Sequence, residues 1–233
     1  KDGVPWRRLL TSAPVLAVWC VDFTFNWQWY SIMTLLPTYI HDIFHLDIRT
    51  NGVYSCVPYA ANLLFAWTGS WVADCLIKRK TSLTVVRKLM VALSTIVPAG
   101  LLIAVANMNG EVHGSVVSCL TLMMGFLGFA MSGNLVNRID LAPKYVGIVQ
   151  GISNTLATFA GIIAPLATTA LVPDGTRTQW CNALYLGAGL SVLGAIIFII
   201  FGSGQVQPWA TNQDKTSRDS PDQEETVPLD IRS

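Results

Sequence analysis

Charge is scarce in this chain. Lysine, arginine, aspartate and glutamate together make up 12% of its 233 residues, about half of the roughly 25% found in soluble globular domains. The shortage is also uneven, because nine of these 29 residues fall in the last thirty positions. With 52% hydrophobic residues and a mean hydropathy of +0.48, a soluble domain is excluded and the first 203 residues belong mostly in lipid. A one-signed field is missing too. A net charge of +1 offers no basic surface for nucleic acid and no acidic one for cations.

The signatures of catalysis and of metal or cofactor binding are likewise missing. The five cysteines lie in or beside apolar stretches without disulfide or zinc spacing. No His-Glu-x-x-His, Gly-x-Ser-x-Gly or phosphate-cradling glycine-rich loop occurs, so no enzyme, metal site or cofactor is expected. His41 and His45 stand four apart, but Asp42 and Asp47 beside them fit a polar loop better than a metal site. The chain has no Asn-x-Ser/Thr sequon to report sidedness. No small-residue cleavage site follows Lys1 to Arg8, so the first apolar segment is expected to stay in the protein.

What the chain does have is long apolar runs. A membrane-crossing helix needs about 20 mainly apolar residues. Six segments meet that length: Ala13 to Tyr39, Val53 to Ile77, Leu89 to Asn107, Ser115 to Val136, Val146 to Val172 and Ala183 to Gly202. The runs are continuous, as in Leu193 to Phe201, which excludes the alternating pattern of a membrane β-barrel. The expected architecture is an all-α membrane protein: a cytoplasmic segment over 1–12, a bundle of six transmembrane helices over 13–203, and a disordered polar tail over 204–233. Basic residues support the count, since they collect on the cytoplasmic side. Six spans put thirteen of the 15 on the side of both termini and leave only Arg49 and Arg177 opposite.

Polar and small residues inside such helices turn toward neighbouring helices or a watery cavity. The first span aligns Asp22, Asn26, Trp29, Tyr30, Met33 and Pro37; the fourth aligns Thr121, Gly125, Gly128 and Ser132; the fifth aligns Gly147, Gly151, Asn154, Thr158, Gly161 and Pro165. Two readings stay open. The stripes are close packing contacts, or they line a pathway, the second being favoured most by amides and a carboxylate at membrane depth such as Asn26, Asn154 and Asp22. For Asp22 a further reading stays open, that it sits near the cytoplasmic end of its helix and simply reaches water. Pro98 and Pro165 are candidate hinges or tolerated kinks. Lys78 to Lys88 form a basic run suited to anchoring beside anionic lipid.

From Pro5 to Ala210 the sequence resembles one known family. The resemblance rests on Asn26-Trp27-x-x-Tyr30 with Leu36-Pro37-Thr38-Tyr39, then Asn51-Gly52, Pro58-Tyr59, Ala73-Asp74 and Val86-Arg87-Lys88. It continues through Asp140-Leu141-Ala142-Pro143-x-Tyr145 and Gly151-Ile152-Ser153-Asn154-Thr155 with Ala160-Gly161-Ile162, and closes with Phe201-Gly202-Ser203-Gly204-x-Val206-Gln207-Pro208-Trp209-Ala210. These segments look like the carboxyl half of the anion-transporter family that includes sialin, the vesicular glutamate transporters and the type I sodium/phosphate cotransporters. The resemblance implies one six-helix bundle, half of a major facilitator fold whose two bundles rock around a central site. It also implies a missing amino-terminal bundle.

Position by position, the resemblance implies that Asn26, Tyr30, Ser132, Ser153 and Asn154 face a substrate, and that Asp22, Asp74, Arg138 and Asp140 serve coupling or gating. Three departures stand out. Phe25 replaces the arginine of the vesicular glutamate branch, Arg138 stands where many relatives have histidine, and Ser70 replaces a glycine of the gating loop. The implied function is proton- or sodium-coupled transport of an organic or inorganic anion such as sialic acid, an acidic amino acid or phosphate, in a lysosomal, vesicular or plasma membrane. A second reading is a non-transporting bundle that scaffolds lipid or another membrane protein.

Overall fold

Backbone in lipid must satisfy its own hydrogen bonds, and a helix does this without a partner strand. The computed structural model describes residues 3–44, 48–108 and 113–211, and every regular element among them is helical. A short α1 (Trp6–Leu10) leads into α2 (Ala13–Phe44), α3 (Ile48–Lys78), α4 (Leu83–Asn107), α5 (His113–Leu127), α6 (Asn134–Leu141), α7 (Val146–Leu171) and α8 (Arg177–Phe201). Five stretches are long and apolar enough to cross a membrane: Cys56–Lys78, Leu83–Asn107, Gly114–Leu141, Pro143–Leu171 and Arg177–Phe201. The first expected span, Ala13 to Tyr39, falls on α2. Its 32 residues reach ~48 Å at about 1.5 Å per residue, but Asp22, Asn26 and Gln28 make it less apolar than the other five.

The fourth expected span is broken. Helix α5 stops at Leu127, a 3₁₀ turn covers Gly128–Met131, and α6 restarts the chain at Asn134. The break coincides with a backbone contact to α3. A Cβ on Gly128 would lie 2.6 Å from the Asn62 carbonyl oxygen and 2.7 Å from the Ala66 nitrogen, so only glycine fits there. Other helix ends are set locally. Ser82 caps α4 by accepting from the Val85 amide, and Thr176 with Gln179 forms a capping box at the start of α8. Pro37, Pro58, Pro98 and Pro165 all lie inside helices.

Helix α2 packs between α7 and α8, α4 packs against α8 and α5, and α3 lies along α5. The interior has two main apolar clusters. One joins the end of α2 to α4, α5 and α8 through Leu36, Ile40, Leu102, Leu120, Met123 and Trp180. The other, toward the chain termini, gathers Leu9, Val18, Val91, Leu141, Val149 and Phe198. Large apolar side chains also cover the outside, with Trp67 66%, Trp71 68%, Leu166 66% and Ile200 61% exposed. So large an apolar exterior suits acyl chains, not water. The chain is a multi-pass membrane protein.

Residues 204–211, expected within the disordered tail, fold back onto the helix ends instead. The Gln207 amide donates to the Leu141 carbonyl at 2.9 Å, the Gly204 amide donates to Thr84 Oγ1 at 2.9 Å, and Asn137 Nδ2 donates to the Ser203 carbonyl at 2.8 Å. Ala210 is buried and Trp209 packs beside Tyr145. The rest of the expected tail lies outside the described residues, as do His45 and Asp47.

Candidate functional site

A carboxylate in the middle of an apolar bundle needs donors. Asp22 on α2 is fully buried and receives four contacts from two other helices. Arg138 on α6 grips it in a two-pronged pair, Nη2 to Oδ1 at 2.7 Å and Nε to Oδ2 at 3.0 Å. Asn134, one turn earlier on α6, donates to Oδ1 at 2.6 Å, and Ser153 on α7 donates to Oδ2 at 2.7 Å. Bidentate geometry and added donors are what let such a pair offset the loss of water around two ions.

The pair extends into a polar chain. Arg138 Nη1 donates to Gln150 Oε1 at 2.5 Å, and Gln150 Nε2 donates to Asn154 Oδ1 at 2.8 Å. Asn154 borders a cavity of about 480 Å³ between α2, α3, the 3₁₀ turn, α6 and α7. Asn26, Trp29, Tyr30, Asn62 and Gln150 share its wall, and among the described residues Arg138 is the only charged one there. Asn26 is tied to its own helix by donating to the Asp22 carbonyl at 2.8 Å, and Asn62 Nδ2 donates to the Met124 carbonyl at 2.7 Å. The amide oxygens of both, like the Asn154 Nδ2, have no hydrogen-bond partner among the described residues. The wall thus combines amides, aromatic rings and apolar side chains such as Leu127 and Met131 with a guanidinium whose charge is already matched.

Comparison with known proteins adds the lineage. The sequence profile described as Major Facilitator Superfamily matches residues 1–165. The chain belongs to the major facilitator superfamily. Human sialin is 38% identical over 213 residues, covering 91% of this chain and 43% of sialin. Sheep sialin is 36% identical over 94% of this chain and 44% of its own length. Bovine vesicular glutamate transporter 1 is 37% identical over 90% of this chain and 37% of its own length. This superfamily member is therefore sialin-like, and it spans less than half the length of these curated relatives. Its all-helical arrangement accords with one half of a major facilitator fold.

The structure separates the site residues expected in this superfamily member into groups. Asn26, Tyr30, Asn154 and Arg138 line the cavity. Asp22 and Ser153 stand behind that wall, joined to each other and to Arg138. Ser132 lies outside the lining: its hydroxyl donates to the Phe129 carbonyl at 3.2 Å and its own carbonyl accepts from Arg87 at 2.6 Å. Asp140 pairs with that same arginine, Arg87 Nε to Oδ2 at 2.6 Å, away from the cavity. Asp74 is exposed and pairs with none of the described residues. Sequence reasoning missed Asn134, Gln150 and Asn62. Asn134 stands four residues before Arg138 and Gln150 four before Asn154, so helical spacing from residues already singled out would have found two of the three.

Among the described residues no group of three or more His, Cys, Asp or Glu is arranged to hold a metal, and His41 meets only Asp42, at 3.5 Å.

Proposed function

We propose that the chain is the carboxyl-terminal bundle of a secondary transporter for organic anions, with its large cavity forming half of the substrate site. The observation that carries this reading is the 480 Å³ cavity walled by Asn26, Tyr30, Asn154 and Arg138. Amides and a tyrosine hydroxyl hydrogen-bond carboxylate, phosphate or hydroxyl groups, while Trp29 and Tyr30 give flat apolar faces for a carbon skeleton. Names of the relatives point to sialic acid and glutamate as substrates to try first, with phosphate third.

Arg138 and Asp22 act in coupling. An anion that enters the cavity competes with Asp22 for the guanidinium, and a proton on Asp22 weakens its hold, so proton and anion favour each other at this pair. Sodium is the alternative coupling ion. Ser153 and Asn134 hold the carboxylate, and Ser132 positions Arg87 through its carbonyl. Arg87–Asp140 and Asp74 serve the gate at the end of the bundle where the basic run lies. That end faces the cytoplasm with both termini, and the host membrane is lysosomal, vesicular or the cell surface. The remaining bundle comes from an amino-terminal half. On this reading the protein is a transporter and not an enzyme.

The test is uptake into proteoliposomes containing this chain together with its amino-terminal half. Labelled sialic acid, glutamate or phosphate should accumulate under an imposed pH gradient or a sodium gradient. Flux of none of the three under either gradient would defeat the proposal.

A further inference from the structure

The opposite side of α2 carries a second, smaller cavity that does not depend on the transport reading. Its volume is about 50 Å³, and its wall includes Trp27, Leu102, Leu120 and Gly187 together with Gln28 and Ser31. An apolar cavity stays dry, but this one is not wholly apolar. Gln28 is 2% exposed, and its Nε2 donates to the Gly187 carbonyl of α8 at 3.2 Å. Because that carbonyl can only accept, the amide orientation is fixed and Oε1 is the free atom. Among the described residues Gln28 Oε1 has no hydrogen-bond partner, and neither has the buried Ser31 Oγ one turn further along.

Two buried, unpaired polar atoms on one wall are a costly arrangement, which buried water commonly relieves. Space agrees with that solution. A water needs roughly 10–15 Å³ of such volume or more, whereas a cavity that takes benzene measures about 150 Å³. The small cavity is therefore too tight for an organic ligand and roomy enough for water.

We propose that this cavity is a resident water site, holding one or two molecules that donate to Gln28 Oε1 and exchange a hydrogen bond with the Ser31 hydroxyl. Water there is structural, linking α2 to the neighbourhood of its contact with α8.

Radiolytic footprinting tests this, because hydroxyl radicals made from a bound water oxidise the side chains beside it even when bulk solvent cannot reach them. The full chain in nanodiscs has an internal control. Trp27 is 8% exposed and lines the small cavity, whereas Trp19 is 6% exposed, donates to the Val149 carbonyl, and lines none of the cavities described. Trp27 should be oxidised several-fold faster than Trp19, and the excess should vanish in the Gln28→Leu/Ser31→Ala chain while Trp19 keeps its rate. Equal rates in the native chain would overturn the proposal, and so would an excess that persists in a folded double variant. If the double variant does not fold, the native comparison decides alone, Trp27 excess supporting the water and parity refuting it.

Discussion

Replacing Arg138 by glutamine takes two of the four donors from a carboxylate that has no access to solvent. The lost contacts are those at 2.7 and 3.0 Å, leaving Asp22 with Asn134 and Ser153. Hydrogen bonds to a charged group contribute about 1.5–3 kcal/mol each, so two of them amount to about 3–6 kcal/mol. That range overlaps the about 3–5 kcal/mol found when one member of a buried ion pair is removed. For a chain of this size each kcal/mol moves the unfolding midpoint by about 2–4 °C, which puts the drop at about 6–20 °C in a thermal unfolding assay in nanodiscs. Asp22→Asn should lose a similar amount, because it strands the guanidinium with Gln150. The double variant Asp22→Asn/Arg138→Gln should lose less than the sum of the two, by about 2 kcal/mol or more. Single variants within about 1 kcal/mol of the native chain, the range of a solvated surface pair, would refute a dry, mutually dependent pair.

Three further outcomes follow from the same geometry. Gly128→Ala should destabilise by about 1–3 kcal/mol or more, since its Cβ meets backbone atoms of α3 at 2.6 and 2.7 Å; an unchanged unfolding midpoint would show that α3 can retreat. On the proposed function, Asn154→Ala should lower anion uptake several-fold in the chain assembled with its amino-terminal half while leaving the midpoint near native, because Asn154 is exposed and, among the described residues, linked only to Gln150 and its own helix; unchanged uptake kinetics would remove it from the proposed site. Thr176→Ala should cost about 1 kcal/mol through loss of the capping box, read as faster amide hydrogen exchange in the first turn of α8, and no change there would discount the cap.

The helical character and most span positions were legible because lipid leaves the backbone little choice, and a continuous apolar run such as Leu193 to Phe201 carries that message without tertiary information. The break in the fourth span was not legible. Gly125, Gly128 and Ser132 read equally well as a stripe on one continuous helix, and the close approach of the Asn62 carbonyl to Gly128, where α5 gives way to the 3₁₀ turn, is a tertiary contact. The site shows the same divide. Asp22 and Arg138 were each conspicuous as charges, but they are 116 residues apart in the chain and nothing local announces their pairing. Ser153 and Asn154 were singled out together. A helix turns neighbouring residues by about 100°, so Ser153 faces Asp22 and Asn154 faces the cavity. Gly147 and Gly151 fitted either close packing or a pathway, and they stand open, with no atom beyond their own stretch of helix within 4 Å of where a Cβ would be.

The Asp22–Arg138 pair also bears on how the protein would feel the membrane voltage. A single charge carried across 100 mV gains or loses about 2.3 kcal/mol. Two opposite charges that travel as a unit cancel that work. A movement that carries the two together therefore does no net electrical work through this pair, and on the proposed reading any charge moved is that of the anion, its coupling ion or other side chains such as Asp140, which pairs with Arg87 on α4.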